Sequence, residues 1–273
     1  MTFKEAVGID GPFSRIGTLI FEIIYCNMLW LLFGGPIAVV VLSYLPIVTN
    51  QVTYILNLVL TVICFLHMGP ATTAAFSALG KRQRKEETYT FRDFWHSYKQ
   101  NYKQGMIVSL IFTAVSGLLG YAIWLEVTNI GLYGKMMYIV LPVQGFAIIE
   151  LIFIFTYIFA LLARFEMSTK NLFKYAFMMA NKHLPTTLLC AALLIASVAA
   201  FLFWNMLSSV FMFGLCFYFS AMLLERVFRN YMPDEDEALA EEEVENYNLD
   251  AERQAIIDRY TGKLSQQEEQ PKE

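Results

Sequence analysis

Residues 52–85 read VTYILNLVLTVICFLHMGPATTAAFSALGKRQRK. No Asp, Glu, Lys or Arg interrupts Val52 to Gly80, and four of the next five residues are basic. An uncharged stretch of this length exceeds the roughly 20 residues that cross a bilayer as a helix. Ending it on Lys81-Arg82-Gln83-Arg84-Lys85 marks the side on which it stops.

Working outward, apolar stretches recur at 16–44, 52–79, 105–125, 136–163, 186–204 and 207–228. The basic residues between them alternate. Of 20 Lys and Arg, 19 fall in the amino-terminal arm, the second gap, the fourth gap or the carboxy-terminal tail, and only Lys135 falls elsewhere. The positive-inside rule then predicts six transmembrane helices with both termini cytoplasmic, in the cell (plasma) membrane. The expected architecture is an all-α, polytopic membrane helix bundle: a cytoplasmic arm at 1–15, a six-helix membrane domain at 16–230 and an acidic, partly disordered cytoplasmic tail at 231–273. Hydrophobic residues make up 57% of the chain and charged residues 16%. A soluble domain carries about 25% charged residues, so a separate soluble domain is not expected. Charges preceding a long first apolar run argue for an uncleaved anchor rather than a signal peptide.

The second and fourth gaps are long enough to carry helices of their own. Thr90 and Asp93 read as a capping box, followed by Phe91, Phe94, Trp95, Tyr98 and Tyr102 at spacings of three and four. Arg92, Lys99 and Lys103 flank that stripe, as expected either for a helix lying in the membrane interface or for one whose aromatics cap the bundle. In the fourth gap, Ser168 or Thr169 is the expected cap of a helix with Leu172, Phe173, Phe177 and Ala180 on one side. Two cytoplasmic amphipathic helices are therefore predicted. Trp95, Tyr98, Lys99 and Lys103 are the candidate membrane-surface or partner contacts.

Proline and glycine mark the irregular points. Gly34-Gly35-Pro36 predicts a kink in the first span, and Pro70 a bend in the second. Neighbouring helices or Thr hydroxyls are expected to satisfy the carbonyl that Pro70 frees. The second, fourth and sixth spans close alike, in Phe76–Lys81, Phe159–Arg164 and Phe219–Arg226. Three duplicated hairpins would explain this. So would the ordinary preference for Lys and Arg at a cytoplasmic helix end, and the latter is preferred.

Four polar residues inside the apolar stretches are the candidate intramembrane site: Glu150, Gln144, His67 and Glu22. Ionisable groups at membrane depth are costly and tend to be functional, with a structural hydrogen bond as the alternative for each. Cys26, Cys64, Cys190 and Cys216 read as buried apolar residues, with no spacing suited to a metal or a disulfide framework. Nothing marks a cofactor site. No phosphate loop, H-E-x-x-H or G-x-S-x-G is present, so an enzyme is not expected. Residues 1–233 carry 16 basic and 10 acidic side chains, whereas 234–273 carry 4 and 14. The tail has opposite charge to the second gap, and a salt-screened contact between them competes with a solvated tail. Asn248 or Asp250 is the expected cap of a short helix in the tail.

Three segments resemble the YesL-like family of bacterial integral membrane proteins, a domain of unknown function. They are Asn27–Phe33, Gly69–Phe76 and Phe94–Gln104, within a similarity over 10–230. The family has no established activity, so the resemblance implies no catalytic residue. Its members often accompany genes for carbohydrate uptake in Gram-positive bacteria. The resemblance thus implies an accessory or regulatory component linked to carbohydrate uptake and utilisation. Expected partners are the lipid bilayer and a sugar-import permease, with no nucleic acid. The alternative is a small-solute transporter or channel with a polar site around Glu150.

Overall fold

The structure is a computed structural model that describes residues 12–34, 51–84, 86–129, 134–204 and 206–232, with Arg253 and Ile257. Helices α1 (Pro12–Phe33), α2 (Gln51–Gln83), α4 (Tyr102–Thr128), α5 (Met137–Arg164), α7 (Leu184–Trp204) and α8 (Met206–Arg229) correspond to the six apolar stretches. All six are long and apolar enough to cross a membrane. The two short helices, α3 (Thr90–Gln100) and α6 (Thr169–Lys182), lie in the second and fourth gaps. A 3-10 turn at Gly134–Met136 precedes α5, and the described residues contain no strand. The chain divides into two compact units, 1–227 and 228–273. The tail beyond 232, with its expected helix, falls almost wholly outside the described residues, as does the stretch 35–50, which includes Gly35 and Pro36 of the expected kink. Helix α1 stops at Phe33, with a bend at Gly34.

α2 is the central helix, packing against α1, α3, α4 and α5. Its small residues are the reason. Gly69, Pro70, Ala71, Thr72, Thr73, Ala74 and Ala75 are all buried. Small side chains let helix backbones come close where lipid supplies no hydrophobic drive between spans. The closest approach is to α4. A Cβ at Gly105 would lie 2.9 Å from Pro70 N, and one at Gly69 would collide with Ser109 Oγ and the Gly105 carbonyl. α8 meets α1 similarly, since a Cβ at Gly214 would lie 2.9 Å from the Ile23 carbonyl.

Larger side chains fill the space around these contacts. Trp30, 2% exposed, donates from Nε1 to Thr72 Oγ1 at 3.0 Å, and Thr72 donates onward to the Met68 carbonyl at 2.7 Å. Its indole also packs against Phe213 and Phe217 of α8, at 5.1 and 5.2 Å between ring centroids. Phe112, Phe155, Phe159 and Phe173 join α4, α5 and α6. The threonines do not serve the carbonyl freed by Pro70, which is that of Leu66, four residues earlier. Thr72 and Thr73 bond instead to the carbonyls of Met68 and Gly69. Each hydroxyl reaches one turn back along its own helix, and that geometry selects its acceptor.

The amphipathic helices run back along the spans before them rather than lying flat across the bundle. Asp93 of α3 pairs with Lys81 at 2.8 Å, and Tyr102, at the start of α4, reaches His67. Lys81 and His67 are about 21 Å apart along α2 at 1.5 Å per residue. Asn181, near the end of α6, meets Glu150 of α5, which lies about 21 Å along α5 from Arg164. With 33 and 28 residues, α2 and α5 exceed the roughly 30 Å hydrocarbon core, leaving length for such partners.

Local details differ from the expected ones. Tyr89, not Thr90, occupies the N-cap of α3, and no side chain caps it from that position. Asp93 still reaches back, accepting the Tyr89 N–H at 2.9 Å. It is buried and ion-paired to Lys81. Ser168 takes the N-cap position of α6, again without a side-chain bond. The buried stripe of α6 is Leu172, Ala176, Met179 and Ala180, while Phe177 is exposed. Phe177 lies five residues from Leu172, off the three-and-four spacing of that face.

Gly105→Ala tests the α2–α4 approach, with Gly117→Ala in the same helix as its control because nothing lies within 4 Å of a Cβ there. Gly105→Ala is expected to cost about 1–3 kcal/mol through overpacking. Gly117→Ala is expected to be neutral or to stabilise by up to about 1 kcal/mol. Thermal unfolding of the detergent-purified proteins measures both, and equal midpoints would refute the close-packing account.

Candidate functional site

The four candidate intramembrane residues are each bonded to a different partner. Glu22 of α1 is ion-paired to Arg82 at the end of α2. His67 Nδ1 lies 2.9 Å from the Ile63 carbonyl. A carbonyl only accepts, so Nδ1 donates there, and Nε2 is left to accept the Tyr102 hydroxyl at 3.0 Å. Glu150 accepts from Asn181 Nδ2 at 3.2 Å. Gln144 donates from Nε2 to Glu126 Oε1 at 2.8 Å. None of these bonds joins two of the four. Gln144 and Glu150, six residues apart on one helix, are about 240° apart around its axis and engage α4 and α6 respectively.

Glu126 carries no mark in the sequence. The apolar stretch 105–125 stops one residue before it, and a carboxylate just past a span reads as a solvated helix end. In the structure it belongs to the last turn of α4 and is 8% exposed. Only the position of α5 beside it reveals this.

The aromatic face of α3 divides. Phe94 and Tyr98 are buried, and both pack on Phe33 of α1. Burial, with the neighbouring Tyr102 adding to it, pushes the Tyr98 phenol up to about 12. Tyr98 is therefore a packing residue rather than an outer contact. Trp95 is half-buried and stacks parallel to Tyr98, with the Lys99 ammonium 4.8 Å from its ring. Lys99 and Lys103 are exposed. On α6, Lys170, Lys174 and Lys182 are exposed as well. These bases form the outward charge of the two short helices.

The ends of α2, α5 and α8 meet in a closed ionic ring. Arg84 lies 2.5 Å from Glu86 and 3.5 Å from Glu225. Arg164 lies 3.7 Å from Glu225 and 4.0 Å from Glu86. Each carboxylate thus bridges two guanidiniums and each guanidinium two carboxylates. Glu225 is nearly buried, with 8% of its side chain exposed, against 43% for Glu86. The Arg84 hydrogen bond, with charge from Arg84, Arg164 and Lys81, outweighs partial burial and lowers the Glu86 pKa. The ring brings together the three span ends whose sequences resemble one another. Gln100 and Gln104 add bonds to Glu166 and the Met167 carbonyl in the turn between α5 and α6.

This chemistry holds helices together. Among the described residues, no three His, Cys, Asp or Glu side chains cluster to hold a metal ion. Glu22, Glu225 and Asp93 are ion-paired to basic groups from other segments, which suits a scaffold with a charged outer face.

Removing Glu225 leaves Arg84 and Arg164 facing each other without their buried counter-charge. Glu225→Gln is expected to destabilise by about 3 kcal/mol, and the more exposed Glu86→Gln by clearly less. Because the native Glu86 pKa is lowered, its contribution is complete above the unfolded value of about 4.3 and is lost as pH falls through the native value. Thermal midpoints from pH 7 down to pH 3 should therefore fall less steeply in Glu86→Gln than in the parent. Parallel curves would refute the assignment.

Residues 23–123 match the family described as "Protein of unknown function, DUF624". No curated protein and no solved structure matches the chain. The matched segment covers half of α1, all of α2 and α3, and most of α4, the part of the bundle with the closest backbone packing. The chain is a membrane protein with six candidate spans among the described residues, and the description of the family that residues 23–123 match assigns no activity.

Proposed function

We propose that this protein is an accessory or regulatory membrane component, linked to carbohydrate uptake and utilisation, that meets its partner through the basic faces of α3 and α6. The observation that carries the reading is the division of α3: Phe94 and Tyr98 anchor it in the bundle while Lys99 and Lys103 stay exposed. An anchored helix with exposed charges is a preorganised docking surface, since little ordering entropy remains to be lost on binding. The link to carbohydrate uptake rests on the resemblance to YesL-like proteins, and the partner it suggests is a sugar-import permease. Residence in the plasma membrane with cytoplasmic termini follows from the distribution of Lys and Arg, which also sets the basic faces toward the cell interior. The reading includes no enzymatic activity.

The alternative, a small-solute transporter or channel using Glu150, needs a polar path that reaches that residue. Asn181 occupies Glu150, and Gln144, His67 and Glu22 are held by other partners. The accessory reading is accordingly preferred.

Charge reversal of the exposed lysines tests it. In cells that express this protein, Lys99→Glu with Lys103→Glu is expected to lower sugar uptake at least fivefold. Co-purification of the permease should be lost while the membrane level of the variant stays unchanged. Normal uptake in the variant and in a deletion strain would refute the proposal. Loss of flux in Glu150→Gln with intact co-purification would favour transport instead.

A further inference from the structure

The Glu126–Gln144 pair contains two oxygens without a donor. Gln144 Nε2 bonds to Glu126 Oε1, but Glu126 Oε2 and Gln144 Oε1 are buried and accept no hydrogen bond. Glu126 as a whole is more than nine-tenths buried. Leaving one buried acceptor without a donor costs free energy, more so when it carries charge, and here two lie in one side-chain pair. The elements that hold them are also unusual. Gln144 sits two residues after Pro142, within α5, and Glu126 in the closing turn of α4. The pair lies toward the end of α5 opposite Arg164, far from the ionic ring.

Several occupants can be compared by what they supply. A bound anion would add a further acceptor. Transition-metal chemistry is unsuited to one carboxylate and one amide oxygen, without imidazole or thiolate. Water can donate to both oxygens, but only a positive charge also neutralises the buried carboxylate. A proton on Oε2 would turn the pair into an acid–amide pair, with the new O–H available as donor to Gln144 Oε1. An alkali ion would serve the same two oxygens, as carboxylate and carbonyl ligands suit hard cations.

We propose that Glu126 and Gln144 form a cation-binding site, in which a single positive charge, an alkali ion or a proton, is held between Glu126 Oε2 and Gln144 Oε1. This goes beyond the accessory function and does not depend on it. The site couples α4 to α5, so its occupancy changes how firmly the two spans are joined at that end of the bundle. Occupancy by an external ion would let the membrane domain sense ionic conditions without any transport.

The purified protein in lipid nanodiscs provides the test, with sodium chloride and choline chloride compared at equal ionic strength. Infrared spectra with hydrogen–deuterium exchange detect a protonated carboxyl group. If an alkali ion fills the site, saturating sodium raises Tm by about 5 °C over choline, and Glu126→Gln abolishes the difference. If a proton fills it, Tm is the same in both salts. A protonated-carboxyl band is then present in the parent and in Glu150→Gln but absent from Glu126→Gln. Glu126→Gln places an amide where the acid stands, and its N–H can serve Gln144 Oε1 without any cation. Gln144→Leu reports the same site from the other helix should Glu126→Gln fail to fold. A parent protein with neither a sodium-dependent Tm nor a protonated-carboxyl band overturns the proposal.

Discussion

The backbone contact between α2 and α4 at Gly69, Pro70 and Gly105 sets the rest of the bundle. Helices in lipid gain nothing from hiding apolar surface from one another, because the surrounding tails are equally apolar. Close backbone approach supplies dispersion contacts instead, and only residues without a bulky side chain permit it. With Gly105 against Pro70, α2 has room on its other sides for α1, α3 and α5. The run of alanines and threonines that follows continues the same principle along α2. Trp30 of α1 then ties α2 to α8, bonded to Thr72 and packed on Phe213 and Phe217.

At the ends of the spans, charge takes over from shape. Carboxylates and guanidiniums partly shielded from water are unfavourable singly, so the ring of Arg84, Glu86, Arg164 and Glu225 is stable as a set. Glu22–Arg82 and Lys81–Asp93 extend it toward α1 and α3. The short helices lie between these two regimes. Each buries a narrow stripe against the span before it and leaves its lysines outside. The rigid interior thereby fixes the position of a charged exterior, which is the basis of the proposed docking role.

The sequence was most legible where physics is one-dimensional. Length and hydropathy locate a span regardless of its neighbours, so the six apolar stretches and six candidate spans agree closely. The periodicity of α3 and α6 was legible too, with errors at single positions. Phe177 was expected on the buried stripe and is exposed, while Tyr98, for which an outer contact and a place capping the bundle were both expected, is buried. Both outcomes arise because an amphipathic pattern gives a face but not its partner. Tyr98 turns inward because Phe33 and Phe94 are there to meet it.

By itself, the sequence determined the class of the protein, the number of its candidate spans and the amphipathic helices between them. These depend on transfer of each segment from water to lipid, a sum over its own residues. The tertiary structure alone decided which polar groups meet. Glu150 pairs with an asparagine 31 residues later, His67 with a tyrosine 35 residues later, and Gln144 with a glutamate that nothing in the sequence marked as buried. Hydrogen bonds and ion pairs act over a few ångströms, so their partners are chosen by helix packing rather than by position along the chain.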